Sequence, residues 1–282
     1  MKIEKKAQSG RDRNNSYKMK ENYERTGYEF IEGINSVSML LDNNKGRRKI
    51  FDLYILQSRE NDLKIKNILQ NAHEKHLNVS ILSKDAFEKS LNINSLRSQG
   101  ICARVSNYSY PDIDTFLAGN LNRKSRFLIL DGVTDVGNFG GIIRSVFAFD
   151  FDGIIIPRHK SADVNKDVNR ASSGALEGVN IFRVPNLART IDMLKSLNFW
   201  IYGTSVYEEE NRKISKLSEA VFNFPVAIIL GGEHSGISRL LKDKSDELIK
   251  IEMSERLDSL NVSVSAGILL YSINCQAKKS KI

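Results

Sequence analysis

From about residue 126 onward the chain alternates short apolar runs with longer amphipathic ones, and that alternation constrains the fold more than any other feature. Runs of four or five residues at 127–130, 153–156, 180–184, 200–203, 226–230 and 248–251 are rich in Ile, Val, Leu and Phe. They are too short for helices and too continuously apolar for half-exposed strands, so they read as strands covered on both faces. Helix-length stretches separate them, among them 142–149 and 187–197. The last stretch, 261–277, puts Val262, Ala266, Leu269 and Ile273 on one stripe that should pack back onto the sheet. The alternation predicts an α/β fold with a mostly parallel sheet.

The chain upstream is divided differently. Residues 28–105 alternate on a smaller scale: an amphipathic stretch at 31–41, an apolar run at 51–56, a charged helix candidate at 60–76, a short run at 78–82 and a strand-like GICARV at 100–105. In the long segment Leu63, Ile65, Ile68 and Leu69 suit one helical face. A small α/β/α sandwich is expected over 27–105, followed by a polar connector at 106–125 and a second domain at 126–282. Residues 1–26 hold almost no aliphatic side chains and carry eight basic against four acidic ones. Too little apolar surface is present there to offset the entropy of ordering, so this stretch reads as a disordered basic tail. Glu4, Asp12, Glu21 and Glu24 argue against a mitochondrial presequence.

Charge narrows the class of partner. Lys and Arg outnumber Asp and Glu 42 to 34, a net charge of +8 on 282 residues. Such an excess favours a polyanion. No run is long enough to cross a bilayer and the first residues lack a signal-peptide core, so a soluble, cytoplasmic protein without a membrane partner is expected. Cys102 and Cys275 lie far apart without CxxC spacing, and His73 and His76 flank Glu74 and Lys75 without an HExxH pattern. Neither set predicts a metal site, and the two cysteines read as reduced, buried apolar residues.

In open α/β sheets ligands bind at the carboxyl ends of the strands, which directs attention to three loops. They are DGVTDVGNFGGIIR (131–144), LGGEHSG (230–236) and IEMSERLDSLNVSVSAG (251–267). None matches GxGxxG or GxxxxGK[ST]. They share glycines, which permit close backbone approach, and a few polar side chains: Asn138, Arg144, Glu233, Ser259 and Asn261.

In order and spacing the three loops resemble the motifs of the SpoU, or TrmH, branch of the SPOUT RNA methyltransferases. The first motif is matched by Leu130, Asp131, Val133, Asp135, Asn138, Gly140 and Arg144. Gly231, Glu233 and Gly236 match the second, and Ser259, Leu260, Asn261, Val262, Ser263 and Gly267 the third. RASSGALE at 170–177 is similar to the family's serine- and glycine-containing loop. Residues 28–105 resemble the substrate-binding domain of the ribosomal RNA enzymes, itself similar to a kink-turn-binding ribosomal protein. The family pattern is broken at Val136 and Glu252, where prolines are usual, at Asp150, where glycine is usual, and at Asn35 and Ser98, which replace two histidines.

The resemblance implies a methyl transfer from S-adenosylmethionine to a ribose 2′-oxygen of RNA, closest to the enzymes acting on a guanosine of 23S-type rRNA. It implies a deep trefoil knot and a homodimer formed through the methyltransferase domain. It gives Arg144 the proton-handling role, with Asn138, Glu233, Ser259 and Asn261 completing the catalytic set. It gives the cofactor to Leu230, Gly231, Gly232, Ile251, Met253 and Leu260, and needs no metal. Two readings of Arg144 stay open: transiently neutral when desolvated, or charged throughout and stabilising an alkoxide while an RNA phosphate accepts the proton. The high pKa of arginine favours the second. Glu233 either anchors Arg144 or holds its loop. The alternatives to the rRNA reading are a tRNA 2′-O-methyltransferase, an rRNA methyltransferase conferring antibiotic resistance, and an inert RNA-binding assembly protein.

Overall fold

The computed structural model describes residues 27–205, 214–232, 236–254 and 256–279. The expected tail and Glu233 therefore lie outside the described residues. The described residues form two compact units: 27–37 with Arg48–Tyr108, and Ser38–Arg47 with those from Ser109 onward.

The first unit carries a four-stranded sheet. Its strands are β1 (Tyr28–Glu32), β2 (Ile50–Leu56), β3 (Asn78–Leu82) and β4 (Ile101–Ser106), in the order β1-β4-β2-β3. β4 runs antiparallel to β1 and β2, and β2 parallel to β3. Helix α1 spans Ile34–Asn43, α2 Leu63–Glu74 and α3 Lys84–Leu91. The Asp62 side chain starts α2 by accepting from Lys64 N, and Ser83 starts α3 by accepting from Ala86 N, both satisfying amides that a helix leaves open. α2 buries Ile65, Ile68 and Ala72. Leu63, expected on that face, is 75% exposed. It is the first helical residue, and at 100° per residue it points about 200° away from Ile65. The β1 strand was not anticipated as such, because YEFIE alternates buried and half-buried positions too briefly to stand out.

In the second unit α4 (Ile113–Asn120) precedes β5 (Arg126–Asp131), α5 (Val136–Ala148), β6 (Gly153–Pro157), α6 (Lys166–Ala171), β7 (Ile181–Val184) and α7 (Leu187–Ser196). Then come β8 (Trp200–Thr204), β9 (Ile214–Lys216), β10 (Val226–Gly231), α8 (Arg239–Lys244), β11 (Glu247–Lys250) and α9 (Val262–Lys279). The sheet order is β7-β6-β5-β10-β8-β11-β9, and every pairing is parallel. Phe127, Ile129, Phe182, Ile201 and Ile229 from the strands meet Leu187, Ile191 and Leu194 of α7 in one core. The polar connector contributes to that core as well. Asp112 caps α4 through Thr115 N, and the helix buries Ile113 and Leu117 against the strands. Ile113, Phe116 and Leu117, in so short a stretch among polar residues, form too brief a stripe to predict it.

The expected stripe of α9 is buried in full: Val262, Ala266, Leu269 and Ile273 are all under 9% exposed. The cysteines divide. Burial pushes the Cys102 thiol upward, whereas Cys275 is only half-buried, and both are free. Among the described residues no helix is long and apolar enough to cross a membrane.

Candidate functional site

Strand order reverses between β5 and β10, which lie side by side with Leu230 opposite Leu130 and Gly231 opposite Asp131. A parallel sheet opens a crevice at such a point, beyond the carboxyl ends of its strands. The first loop leaves β5 there. Asp135 caps α5 by accepting from Asn138 N at 2.7 Å, so the helix needs no proline at its first position, Val136. At the far end of α5 Asp150 adopts φ +54, the left-handed conformation that glycine takes most easily and aspartate tolerates. Its carbonyl accepts from Arg126 Nη2 at 2.7 Å, which fixes the turn.

The second loop folds back tightly. Gly232 N donates to Asp131 O at 2.8 Å, and Gly236 N donates to Gly232 O at 3.0 Å. A Cβ at Gly232 would stand 2.5 Å from Gly132 O, so only glycine fits where the two strand-end loops touch. The Asp131 carboxylate accepts from Ser238 N at 2.9 Å and holds the exit of the loop onto β5.

The third loop runs from β11 to α9. Asn261 begins α9, its Oδ1 accepting from Ser263 N at 2.9 Å and Ser263 Oγ at 2.6 Å. Its Nδ2 donates to Asn138 Oδ1 at 2.8 Å, which joins the first loop to the third. Glu252, in the position of the family proline, accepts from the hydroxyl and the amide of Ser218. That hydroxyl holds the Glu252 carboxyl below the ordinary glutamate range. The substitution thus exchanges a rigid ring for a polar tie to the segment after β9.

The second and third loops, with the ends of β8 and β11, line a cavity of about 270 Å³. Leu230, Gly231, Gly232, Ile251, Met253 and Leu260, drawn from three separate segments, all line it, and so does Ser259. Thr204 and Ser205 at the end of β8, Lys242 of α8, and Asp258 and Ser265 complete its polar edge, while Ile237, Ile249 and Leu269 add apolar wall. None of these eight was anticipated. Most are single residues in unremarkable sequence, and only the strand order brings β8 and β11 beside β10. The walls combine apolar side chains, backbone groups and one charge of each sign, a donor set suited to an aromatic ring joined to a zwitterion.

Asn138, Asn261 and Arg144 do not line the cavity. Arg144, on α5, is exposed and donates through Nη1 to Ser173 Oγ at 3.4 Å. Ser173 lies in the RASSGALE stretch at φ +53, next to Gly174 at φ +86. This pair of left-handed residues turns the chain back, so that Ser172 is fully buried beneath α5 while Ser173 faces outward. Ser173 is a neighbour of Arg144 that sequence alone did not supply. The link between them passes through Gly140, whose hydrogen faces Ala171 so closely that a Cβ would lie 2.7 Å from the Ala171 carbonyl carbon.

A parallel open sheet with a glycine-built crevice at its switch point defines a ligand-binding α/β enzyme domain. Residues 125–271 match the SpoU rRNA Methylase family, and residues 30–111 match the RNA 2′-O ribose methyltransferase substrate binding family. A Staphylococcus haemolyticus protein assigned to the TrmH family of tRNA/rRNA methyltransferases is 38% identical over 74% of this chain and 82% of its own length. A Staphylococcus aureus counterpart is 42% identical over 62% of this chain and 69% of its own. Among solved structures, the SpoU methyltransferase AviRb from Streptomyces viridochromogenes, in complex with AdoMet, superposes with a TM-score of 0.70 at 22% identity, covering 91% of this chain and 92% of that one. An AdoMet-bound rRNA methyltransferase from Sinorhizobium meliloti gives 0.69 at 19% identity over 93% and 91%. The chain belongs to the SpoU/TrmH family of RNA methyltransferases.

Proposed function

We propose that the protein transfers a methyl group from S-adenosylmethionine to a ribose 2′-hydroxyl of RNA, and that its substrate is a guanosine of large-subunit rRNA. The observation that carries the cofactor part is the convergence of Leu230, Gly231, Gly232, Ile251, Met253 and Leu260 on one cavity. Leu230 and Leu260 offer apolar faces to adenine, the glycine backbone offers its polar groups to the edges, and Lys242 and Asp258 oppose the charges of a methionine end. When bound, S-adenosylmethionine supplies a methyl carbon made electrophilic by its sulfonium.

The 2′-oxygen then forms one bond to that carbon as the carbon–sulfur bond breaks, and its proton must leave. Arg144 is exposed and lightly held, so it is free to reorient toward an RNA ribose and phosphate. As a permanent cation it stabilises the alkoxide as it develops, and an RNA phosphate oxygen accepts the proton. Asn138 and Asn261, locked to one another, orient the ribose in line with the methyl group. Ser259, which lines the cavity, serves in the same role.

The first unit supports an RNA substrate, since residues 30–111 match the RNA 2′-O ribose methyltransferase substrate binding family. The tRNA reading stands second, favoured by relatives assigned to tRNA/rRNA methyltransferases. An inert RNA-binding protein is disfavoured by the presence in the sequence of Asn138, Arg144, Glu233, Ser259 and Asn261 together. The protein acts as a homodimer in this reading, and the knot of the SPOUT enzymes and a cytoplasmic setting belong to it as well. Val264, Ile268 and Tyr271 lie on the outer face of α9, 50%, 38% and 59% exposed, with the Tyr271 ring 5.8 Å from that of Phe149 at the end of α5. A second copy laid on this stripe would cover it. Mapping ribose methylation in total RNA by resistance to alkaline cleavage, with and without the gene, tests the substrate. One protected position lost from large-subunit RNA supports the rRNA reading; a tRNA position replaces it with the second.

A further inference from the structure

The first unit carries a feature that the methyltransferase cavity does not use. On β1, Tyr28 and Phe30 alternate with the buried Glu29 and Ile31, so both rings stand on one face of the sheet. Across the ladder Phe30 is opposite Arg104, and Arg104 is opposite Asp52 of β2. The register slips between Ile50 and Asp52, a bulge that brings Phe51 to the same face as its neighbour Asp52. The Arg104 guanidinium consequently lies 5.4 Å from the Tyr28 ring centre and 5.6 Å from that of Phe51. Lys49 reaches the Phe51 ring at 5.5 Å. Tyr28, Phe30 and Tyr54 form a chain of edge contacts at 5.8 and 6.2 Å. Asp52 holds Arg104 in this plane through a contact of 2.5 Å.

Packing explains why the platform is there. α3 and the turn after it cover one end of this face, where Phe87 and Ile93 bury Leu56 and Cys102 and pack against the rings of Phe30 and Tyr54. Toward Tyr28 and Phe51 the rings remain partly exposed, and Lys49 is exposed. A closed core would bury these rings, and a purely solvated face would not carry four of them. Aromatic rings interleaved with Arg and Lys match the chemistry of a nucleobase, whose π face stacks on rings and on guanidinium and whose phosphate meets the cations.

We infer that this face of the first unit stacks one or more unpaired nucleotides of the RNA substrate, with Phe51, Tyr28 and Arg104 as its stacking elements. The inference rests on the RNA reading above and assigns a surface within it. Duplex RNA buries its base faces in its own stack, so the platform discriminates single-stranded from paired segments.

The test measures fluorescence anisotropy of a 5′-fluorescein oligouridine and of a fluorescein-labelled RNA duplex with the full chain. Phe51→Leu keeps the apolar bulk at the bulge and removes the ring; Arg104→Lys keeps the charge and removes the plane. Each is expected to weaken oligouridine binding by about tenfold, the size of one lost base stack, and to leave duplex binding unchanged. Phe51→Trp is expected to restore it. Equal losses on both probes, or no loss on oligouridine, overturn the inference, as does a wild-type chain that binds S-adenosylmethionine but not oligouridine. A chain that neither binds S-adenosylmethionine nor methylates RNA overturns the underlying reading instead.

Discussion

The Asn261 side-chain amide donates to the Asn138 side-chain carbonyl at 2.8 Å, tying the start of α9 to the first turn of α5 across 123 residues of chain. Because Asn261 also accepts from Ser263, its amide cannot flip without losing both sets of bonds. The two loops therefore act as one unit. Asn138→Ala and Asn261→Ala are each expected to slow methyl transfer about tenfold while leaving cofactor affinity intact. The double variant should be no slower than the worse single one, as expected of coupled neighbours. Single-turnover rates on the same RNA give this result; additive losses would show that the pair does not work as a unit.

Arg144 contributes little to the fold, since its hydrogen bond to Ser173 is exposed and 3.4 Å long. Arg144→Ala should leave the melting temperature unchanged and lower methyl transfer by about 10³-fold, the scale for removing a donor to a developing oxyanion. Arg144→Lys should recover part of that loss, because the charge remains and the fork does not. A near-normal rate in the alanine variant assigns Arg144 a structural role only.

Gly232 is predicted to tolerate no side chain. A methyl group 2.5 Å from Gly132 O must push apart the β5 and β10 loops, at a cost of about 1–3 kcal/mol. Calorimetry should find S-adenosylmethionine binding to Gly232→Ala weakened by at least about tenfold, because Gly232 itself lines the cavity and the loop must shift to make room. Unchanged binding would separate the second loop from the cofactor site.

The stripe on α9 carries the dimer prediction. Val264 and Tyr271 are half-exposed or more, so charging them costs the monomer little, and a Val264→Lys, Tyr271→Asp variant should stay folded. Sedimentation velocity is expected to show the wild type as a dimer and this variant as a monomer. A monomeric wild type, or a variant that still dimerises, excludes this face as the interface.

Much of the second unit was legible because its strands are continuous apolar runs bounded by glycine and polar loops. The predicted strand at 226–230, for example, coincides with β10 to within one residue. The loops that carry Asn138 and Asn261 stood out for the same reason, since glycine and asparagine are conspicuous beside such runs. What remained hidden is what only the sheet order creates. Lys242, Thr204 and Asp258 have no local mark, and Ser173 meets Arg144 only because Gly140 lets α5 settle on Ala171. In the first unit Phe51 reads only as the start of an apolar run, and no period-two pattern reveals a bulge that moves it to the face of Asp52.

The most direct measurement of the central claim is incubation of the full chain with rRNA and S-adenosylmethionine labelled in its methyl group, followed by digestion to nucleosides. The account predicts label in a single 2′-O-methylated nucleoside, guanosine. Label in a base-methylated nucleoside, or none in RNA at all, would contradict it.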